Sequence, residues 1–106
     1  MLRRKVDFDA IARQGTVRST RLLVLRSLRT GRRETRVGLS TPKALGGAVQ
    51  RNRVRRRLRE LVRERLGDIG AGWDLLVIAR PEAVSASHAE LREALRSLTE
   101  RSGIGG

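Results

Sequence analysis

The run Trp73-Asp74-Leu75-Leu76-Val77-Ile78-Ala79-Arg80 constrains this chain more than any other stretch. It is nearly continuous in apolar residues and has the length of a strand. Pro81, which has no N–H to give to a ladder, closes it. A half-exposed strand alternates polar with apolar residues; a strand without alternation has protein on both faces. A chain of 106 residues, 39% of them apolar, must therefore build a sheet with helices packed on it around one modest core. Phe8 and Trp73 are the only aromatics, so that core is made of Leu, Val, Ile and Ala, with Trp73 at its edge.

The flanking segments supply the other elements. Residues 6–15, VDFDAIARQG, place Phe8, Ile11 and Ala12 on one helical face, with Asp7 or Asp9 at the positive end and Gly15 as a stop. Residues 20–28 read as a strand, with Leu23 and Leu25 on one side and Leu22, Val24 and Arg26 on the other. After the polar turn at 30–34, residues 35–40 alternate again until Pro42, and the two runs are expected to pair as an antiparallel hairpin. Thr16 to Arg18 offers at most one more short strand. From about Ala48 to Leu66 the period is helical, with Gly67 placed to end it. Ser87 and Glu90 form a capping box ahead of Leu91, Ala94, Leu95 and Leu98, which mark a last amphipathic helix. The expected domain spans residues 1–102, and 103–106 read as a flexible tail.

Charge is the second constraint. The chain carries a formal +13, and 22 of its 24 basic residues are Arg. The excess lies in the first two-thirds; residues 67–106 hold four Arg against six acids. Such a surplus repels itself unless a polyanion neutralises it, and nucleic acid is the usual one. There is no Cys, hence no disulfide framework and no thiolate metal site. No apolar run approaches the roughly 18 residues of a membrane span, and the basic N-terminus has no apolar stretch behind it to make a secretory signal. A cytoplasmic protein without a membrane or protein partner is expected.

The surplus is densest in GGAVQRNRVRRRLRE, residues 46–60, where Val49, Val54 and Leu58 interrupt the arginines. On a wheel of about 100° per residue, Val54, Leu58, Leu61 and Val62 make one stripe. Asn52, Arg56, Arg59 and Arg63 make the opposite face. Arg51 and Arg55 flank the stripe on one side, Arg53 and Arg57 on the other, and Arg65 falls inside it, from where it can snorkel outward. A merely solvated face mixes signs at i,i+4. Here no acid lies between Arg51 and Arg59, and Arg55/Arg59 and Arg53/Arg57 are like-charge i,i+4 pairs. The free helix loses by that arrangement, and a polyanion turns the loss into phosphate contacts and counterion release.

These residues also carry a resemblance. Arg36-Val37-Gly38-Leu39-Ser40, Lys43 and the run from Gly46 through Arg51-Asn52-Arg53 to Glu60 closely resemble the protein subunit of bacterial ribonuclease P. Leu2, Asp7-Phe8, Gly15 and Leu75 to Arg80 also fall where that family's pattern has them, so the likeness covers roughly residues 2–100. The resemblance implies a two-layer α/β sandwich, ribosomal protein S5 domain 2-like. It has about four strands, three helices and a left-handed β-α-β crossover through the basic helix, against the usual hand. It implies contacts to the catalytic RNA, or to the substrate leader beside it, from Arg51, Asn52, Arg53, Arg55, Arg56, Arg59 and Arg63. It implies a cleft for the single-stranded 5′ leader of precursor tRNA at Phe8, Ala12, Val24, Arg26 and Lys43. Ala12 stands where many relatives have a second aromatic, Arg26 where some have Tyr, and Gly47 where Asn is frequent. The implied activity is that of an endoribonuclease whose RNA subunit, with Mg2+, cuts the leader while the protein assists.

The polypeptide itself offers little for chemistry. His88, the only imidazole, sits in the capping turn as a surface residue, and no nucleophile–base spacing stands out. Asp7/Asp9 and Glu60/Glu64 read as helix charges, and Gly46-Gly47 lacks the rest of a P-loop. Two other classes share the charge. A ribosomal protein would explain the arginines without the long motif match. A helix-turn-helix regulator needs a short helix where RVGLSTPKALGG reads as strand and turn.

Overall fold

The computed structural model describes residues 10, 11 and 13–104. Strands β1 (Thr16–Ser19), β2 (Leu23–Arg29), β3 (Arg36–Ser40) and β4 (Trp73–Ala79) form one sheet in the order β1-β2-β4-β3. Helix α1 (Ala48–Arg65) connects β3 to β4, and α2 (His88–Arg101) follows β4.

The apolar run takes the inner position that its composition demands. β4 pairs antiparallel with β2 and parallel with β3. Leu75, Val77 and Ala79 join the main core with α1 and α2, whereas Leu76 packs with Ile11, Leu28 and Ile78 in a separate cluster. Successive residues of a strand point to opposite faces, so both long helices lie on one face and Ile11 lies on the other. Asp74, the charge inside the run, is in register with Arg36. It accepts from Arg36 Nε at 3.0 Å and from its terminal nitrogen at 2.7 Å. This fork neutralises a buried carboxylate.

The expected hairpin between residues 20–28 and 35–40 does not form. β2 turns back on β1, with Val17 opposite Arg26, and β3 meets only β4. Burial on both faces puts β4 between them, and a parallel neighbour needs a crossover, which α1 supplies. The β1–β2 turn is tight: Thr20 Oγ1 accepts from the N–H groups of Leu22 and Leu23 at 3.2 and 3.1 Å. The strand period starts after this turn, so Leu22 enters the main core and does not share the side of Val24 and Arg26.

Residues 10, 11, 13 and 14 are helical, and the Gly15 N–H donates to Ile11 O at 2.9 Å. A Cβ on Gly15 would stand 2.5 Å from that oxygen and 2.9 Å from Ser27 O, so the turn passes β2 at a distance only glycine allows. Asp7, Phe8, Asp9 and Ala12 lie outside the described residues.

At the helix ends the expectations hold only in part. The capping box is present: Ser87 N–H donates to Glu90 Oε1 at 2.9 Å, and Glu90 N–H to Ser87 Oγ at 3.1 Å. These bonds, with Arg21 nearby, hold the Glu90 carboxyl below its ordinary range. Gly67 is not the stop of α1. The helix tightens into a 3-10 turn at Leu66–Asp68, and Gly67 is not among the glycines at positive φ. The tail expected from residue 103 is docked through Ile104. Gly103 takes φ 71, and Ile104 donates to Thr99 O at 3.0 Å and accepts from Gly70 N at 3.2 Å. Its side chain is 2% exposed, in the main core.

Candidate nucleic-acid interface

Helix α1 is built as its periodicity requires. Val54, Leu58, Leu61 and Val62 are its buried residues and belong to the main core. Val49 does not; it is 71% exposed, because the wheel puts it about 120° beyond the stripe's edge, next to Arg56. Gly46 at φ 124 and the extended Gly47 bring the chain into the helix, whose first turn has neither a side-chain cap nor an acid. The positive end of the helix dipole therefore adds to the arginine field.

The structure divides the arginines into two kinds. Arg53, Arg56, Arg59 and Arg63, with Asn52, are exposed. These four guanidinium groups have no ion-pair or hydrogen-bond partner among the described residues. The other four α1 arginines are tethered. Arg51 Nε donates to Thr41 O at 2.9 Å, and an Arg55 terminal nitrogen donates to Thr41 Oγ1 at 2.6 Å. Arg57 donates to Ala86 O at 3.2 Å. Arg65, placed within the apolar stripe, donates to Thr99 Oγ1 at 3.1 Å and lies 3.9 Å from both Asp68 and Glu100. A guanidinium has five N–H donors, so Arg51 and Arg55 keep most of theirs after binding Thr41. Thr41 thus holds two arginines of the motif in place. Nothing in the sequence singled it out, because long side chains reach partners that periodicity does not encode.

Thr41→Val keeps the shape of this buried residue and removes the hydroxyl. We expect a double-mutant cycle with Arg55→Ala in urea to return a coupling of about 1.5–3 kcal/mol, the range for hydrogen bonds to charged groups. A coupling near zero would mean that the Thr41 hydroxyl does not hold Arg55.

Helix α2 shows what an ordinary solvated charge face looks like in the same protein. Arg92 meets Glu64 at 3.3 Å, and Arg96 lies between Glu93 and Glu100. The Arg96 guanidinium holds the Glu93 carboxyl below its usual range. Acids neutralise α2 locally; along the exposed face of α1 the charge is left open.

The second group of expected residues lies on the opposite face of the sheet. Val24 and Arg26, both half-buried, point to the side of Leu76, Ile78 and Ile11. Val24, Ile78 and Ser40 are in register across β2, β4 and β3. Lys43, exposed, opens the 3-10 turn three residues after Ser40. Phe8 and Ala12 are outside the described residues. The two groups therefore do not form one site: a cationic ridge stands over one face of the sheet, and a floor of Val24, Arg26, Leu76 and Ile78 forms the other. Trp73 packs at the core edge beneath Arg29, whose guanidinium carbon is 5.3 Å from the ring centre. Among the described residues no three His, Cys, Asp or Glu side chains gather to hold a metal ion, and no helix is long and apolar enough to cross a membrane.

With this geometry in hand, comparison with known proteins is specific. The family model described as Ribonuclease P matches residues 1–103. A ribonuclease P protein component of Roseiflexus sp. (strain RS-1) is 38% identical over 104 residues, covering 97% of this chain and 85% of its own. One from Streptococcus pneumoniae (strain Hungary19A-6) is 35% identical over 103 residues, covering 97% and 84%. The Staphylococcus aureus RNase P protein superposes with a TM-score of 0.90 at 25% identity, over 99% of this chain and 96% of that one. The Thermotoga maritima protein does so at 0.86 and 29%, over 99% and 97%.

Proposed function

The chain belongs to the ribonuclease P protein family, and from that premise we propose how its two surfaces serve the ribonucleoprotein that processes tRNA 5′ ends. The α1 ridge binds the catalytic RNA: Asn52, Arg53, Arg56, Arg59 and Arg63 through their exposed groups, Arg51 and Arg55 through the donors that Thr41 leaves over. The opposite face takes the 5′ leader of precursor tRNA, along Phe8, Ala12, Val24, Arg26 and Lys43. The observation that carries this reading is the contrast between the helices, since four open guanidinium groups line α1 while Arg92 and Arg96 of α2 are each paired with acids.

Endonucleolytic cutting resides in the RNA. Mg2+ supplies the activation of water in such an enzyme, and the described residues of the protein do not offer it a ligand set. The RNA phosphates are the proposed holders of the ion. The protein contributes positive potential and a surface for the leader. The finer features of the family fold are part of the same proposal: a third helix that takes in residues 10, 11, 13 and 14, a left-handed crossover through α1, and a single RNA-binding domain reaching Ile104. A cytoplasmic location follows from the proposed RNA partners.

Reconstitution tests the reading. Ribonuclease P RNA with precursor tRNA at low Mg2+ is expected to release the 5′ leader only when the protein is added, and the protein without the RNA is expected to cut nothing. Leader release by the protein alone, or no stimulation by it, would refute the proposal.

A further inference from the structure

The C-terminal half of the ridge is not a plain row of charges. Between α1 and the start of β3 lies a cavity of about 200 Å3, lined by Thr35, Val37, Arg59, Val62, Arg63 and Leu66. Its apolar lining comes from Val37, Val62 and Leu66. Leu66 is 43% exposed, one of only three large apolar side chains left open among the described residues. Thr35 is a fixed wall, because its hydroxyl donates to Gly70 O at 2.6 Å and accepts from Trp73 N at 3.2 Å. Arg59 and Arg63, one helical turn apart, stand at the site with no partner among the described residues.

An aliphatic floor beside two open guanidinium groups matches a flat, weakly polar ring attached to a phosphate. The cavity is smaller than the roughly 300–1,000 Å3 of pockets that enclose drug-sized ligands, which suits a single ring system. Single-stranded RNA is gripped by stacking unpaired bases on aromatic side chains or on guanidinium planes. This chain has two aromatics, and Trp73, the one described, is committed to the core edge. Among the described residues, leucine, valine and arginine are what remains for holding a base.

We propose that this cavity receives one unpaired nucleotide of the RNA bound on the ridge, the base resting on Leu66, Val37 and Val62 and its phosphate between Arg59 and Arg63. The inference rests on the reading of α1 as the RNA-binding face and adds to it an interaction that is apolar and local. The ridge thereby gains a contact to a base, whereas phosphate contacts position the nucleic acid without reading its bases.

Because Leu66 is exposed and lies just past α1, its replacement leaves the core intact, and thermal melting of each variant verifies this. Filter binding of ribonuclease P RNA over a salt series is then compared for the wild type, Leu66→Asn, Leu66→Met and Arg63→Ala. Leu66→Asn is expected to bind about five- to tenfold more weakly at every salt concentration with an unchanged salt slope, as when one base is unseated. Leu66→Met should stay within about twofold. Arg63→Ala should lower the slope by roughly 0.7–0.9. Abasic substitutions scanned through the unpaired positions of the RNA should reveal one position that weakens the wild type and leaves Leu66→Asn unaffected. Wild-type affinity in Leu66→Asn, or no such position, overturns the pocket while a slope change in Arg63→Ala leaves the ridge standing. Failure of the wild type to bind the RNA overturns both.

Discussion

Arg53→Ala, Arg56→Ala and Arg59→Ala combined are expected to weaken binding of ribonuclease P RNA by about one to three orders of magnitude, at roughly 0.5–1.5 kcal/mol for each exposed hydrogen bond removed. The slope of log K against log salt should fall by roughly 0.7–0.9 for each phosphate no longer engaged, about 2–3 in all. These side chains bind nothing else in the described protein, so the fold should not suffer. Arg59 sits i,i+4 from both Arg55 and Arg63, and like-charge pairs at that spacing cost a helix about 0.2–0.5 kcal/mol each. Alanine is also the best helix former. The triple variant should therefore melt no lower than the wild type while losing its RNA. A lower melting temperature would show that these arginines serve the fold, and an unchanged slope in filter binding would show that they do not engage phosphate.

The opposite dissociation is expected of Leu58→Ala. Leu58 is fully buried in the stripe that seats α1 on the sheet. Truncating a buried leucine costs about 2–5 kcal/mol, against the roughly 5–15 kcal/mol that holds a typical domain together. At about 4–8 °C per kcal/mol the melting temperature should fall by roughly 10–40 °C. RNA affinity should drop only by the fraction unfolded, and excess RNA should restore the fold by mass action. The salt slope of the bound state stays that of the wild type, because the phosphate contacts are unaltered. Calorimetry with and without RNA checks the first part and filter binding the second.

That the two variants are expected to separate reflects how the sequence is written. The stripe of Val54, Leu58, Leu61 and Val62, the capping box at Ser87 and the double burial of β4 are local patterns of apolar spacing, and each is legible without coordinates. Strand order is not. Alternation at 35–40 reports that β3 has an inner face, not that its neighbour is β4 in place of β2; the partner is settled by which strand must be covered twice. Leu22 and Gly67 misled for a similar reason: a Thr20 turn and a 3-10 turn shift the period by a residue or two, below what spacing alone resolves. Ile104 stands in what reads as a glycine-rich tail, yet Gly103 turns it back onto the core. Within the interface, the wheel separated displayed from buried positions correctly and left Val49 outside the stripe. It could not say that Thr41 engages Arg51 and Arg55, because those bonds depend on the ends of long side chains meeting a loop ten or more residues away.

The most direct test asks which helix faces the RNA. The chain contains no cysteine, so single cysteines can carry an iron-EDTA tether without competition. One belongs at Asn52, on the exposed ridge of α1; the other belongs at Ala89, exposed on α2 where it lines a groove with Thr20, Arg21 and Leu22. In the complex with ribonuclease P RNA, hydroxyl radicals from Asn52→Cys are expected to cut the RNA at a few discrete positions, and those from Ala89→Cys to leave it intact. Cutting from Ala89→Cys alone, or equally from both, would contradict the assignment of the arginine ridge as the RNA-binding face.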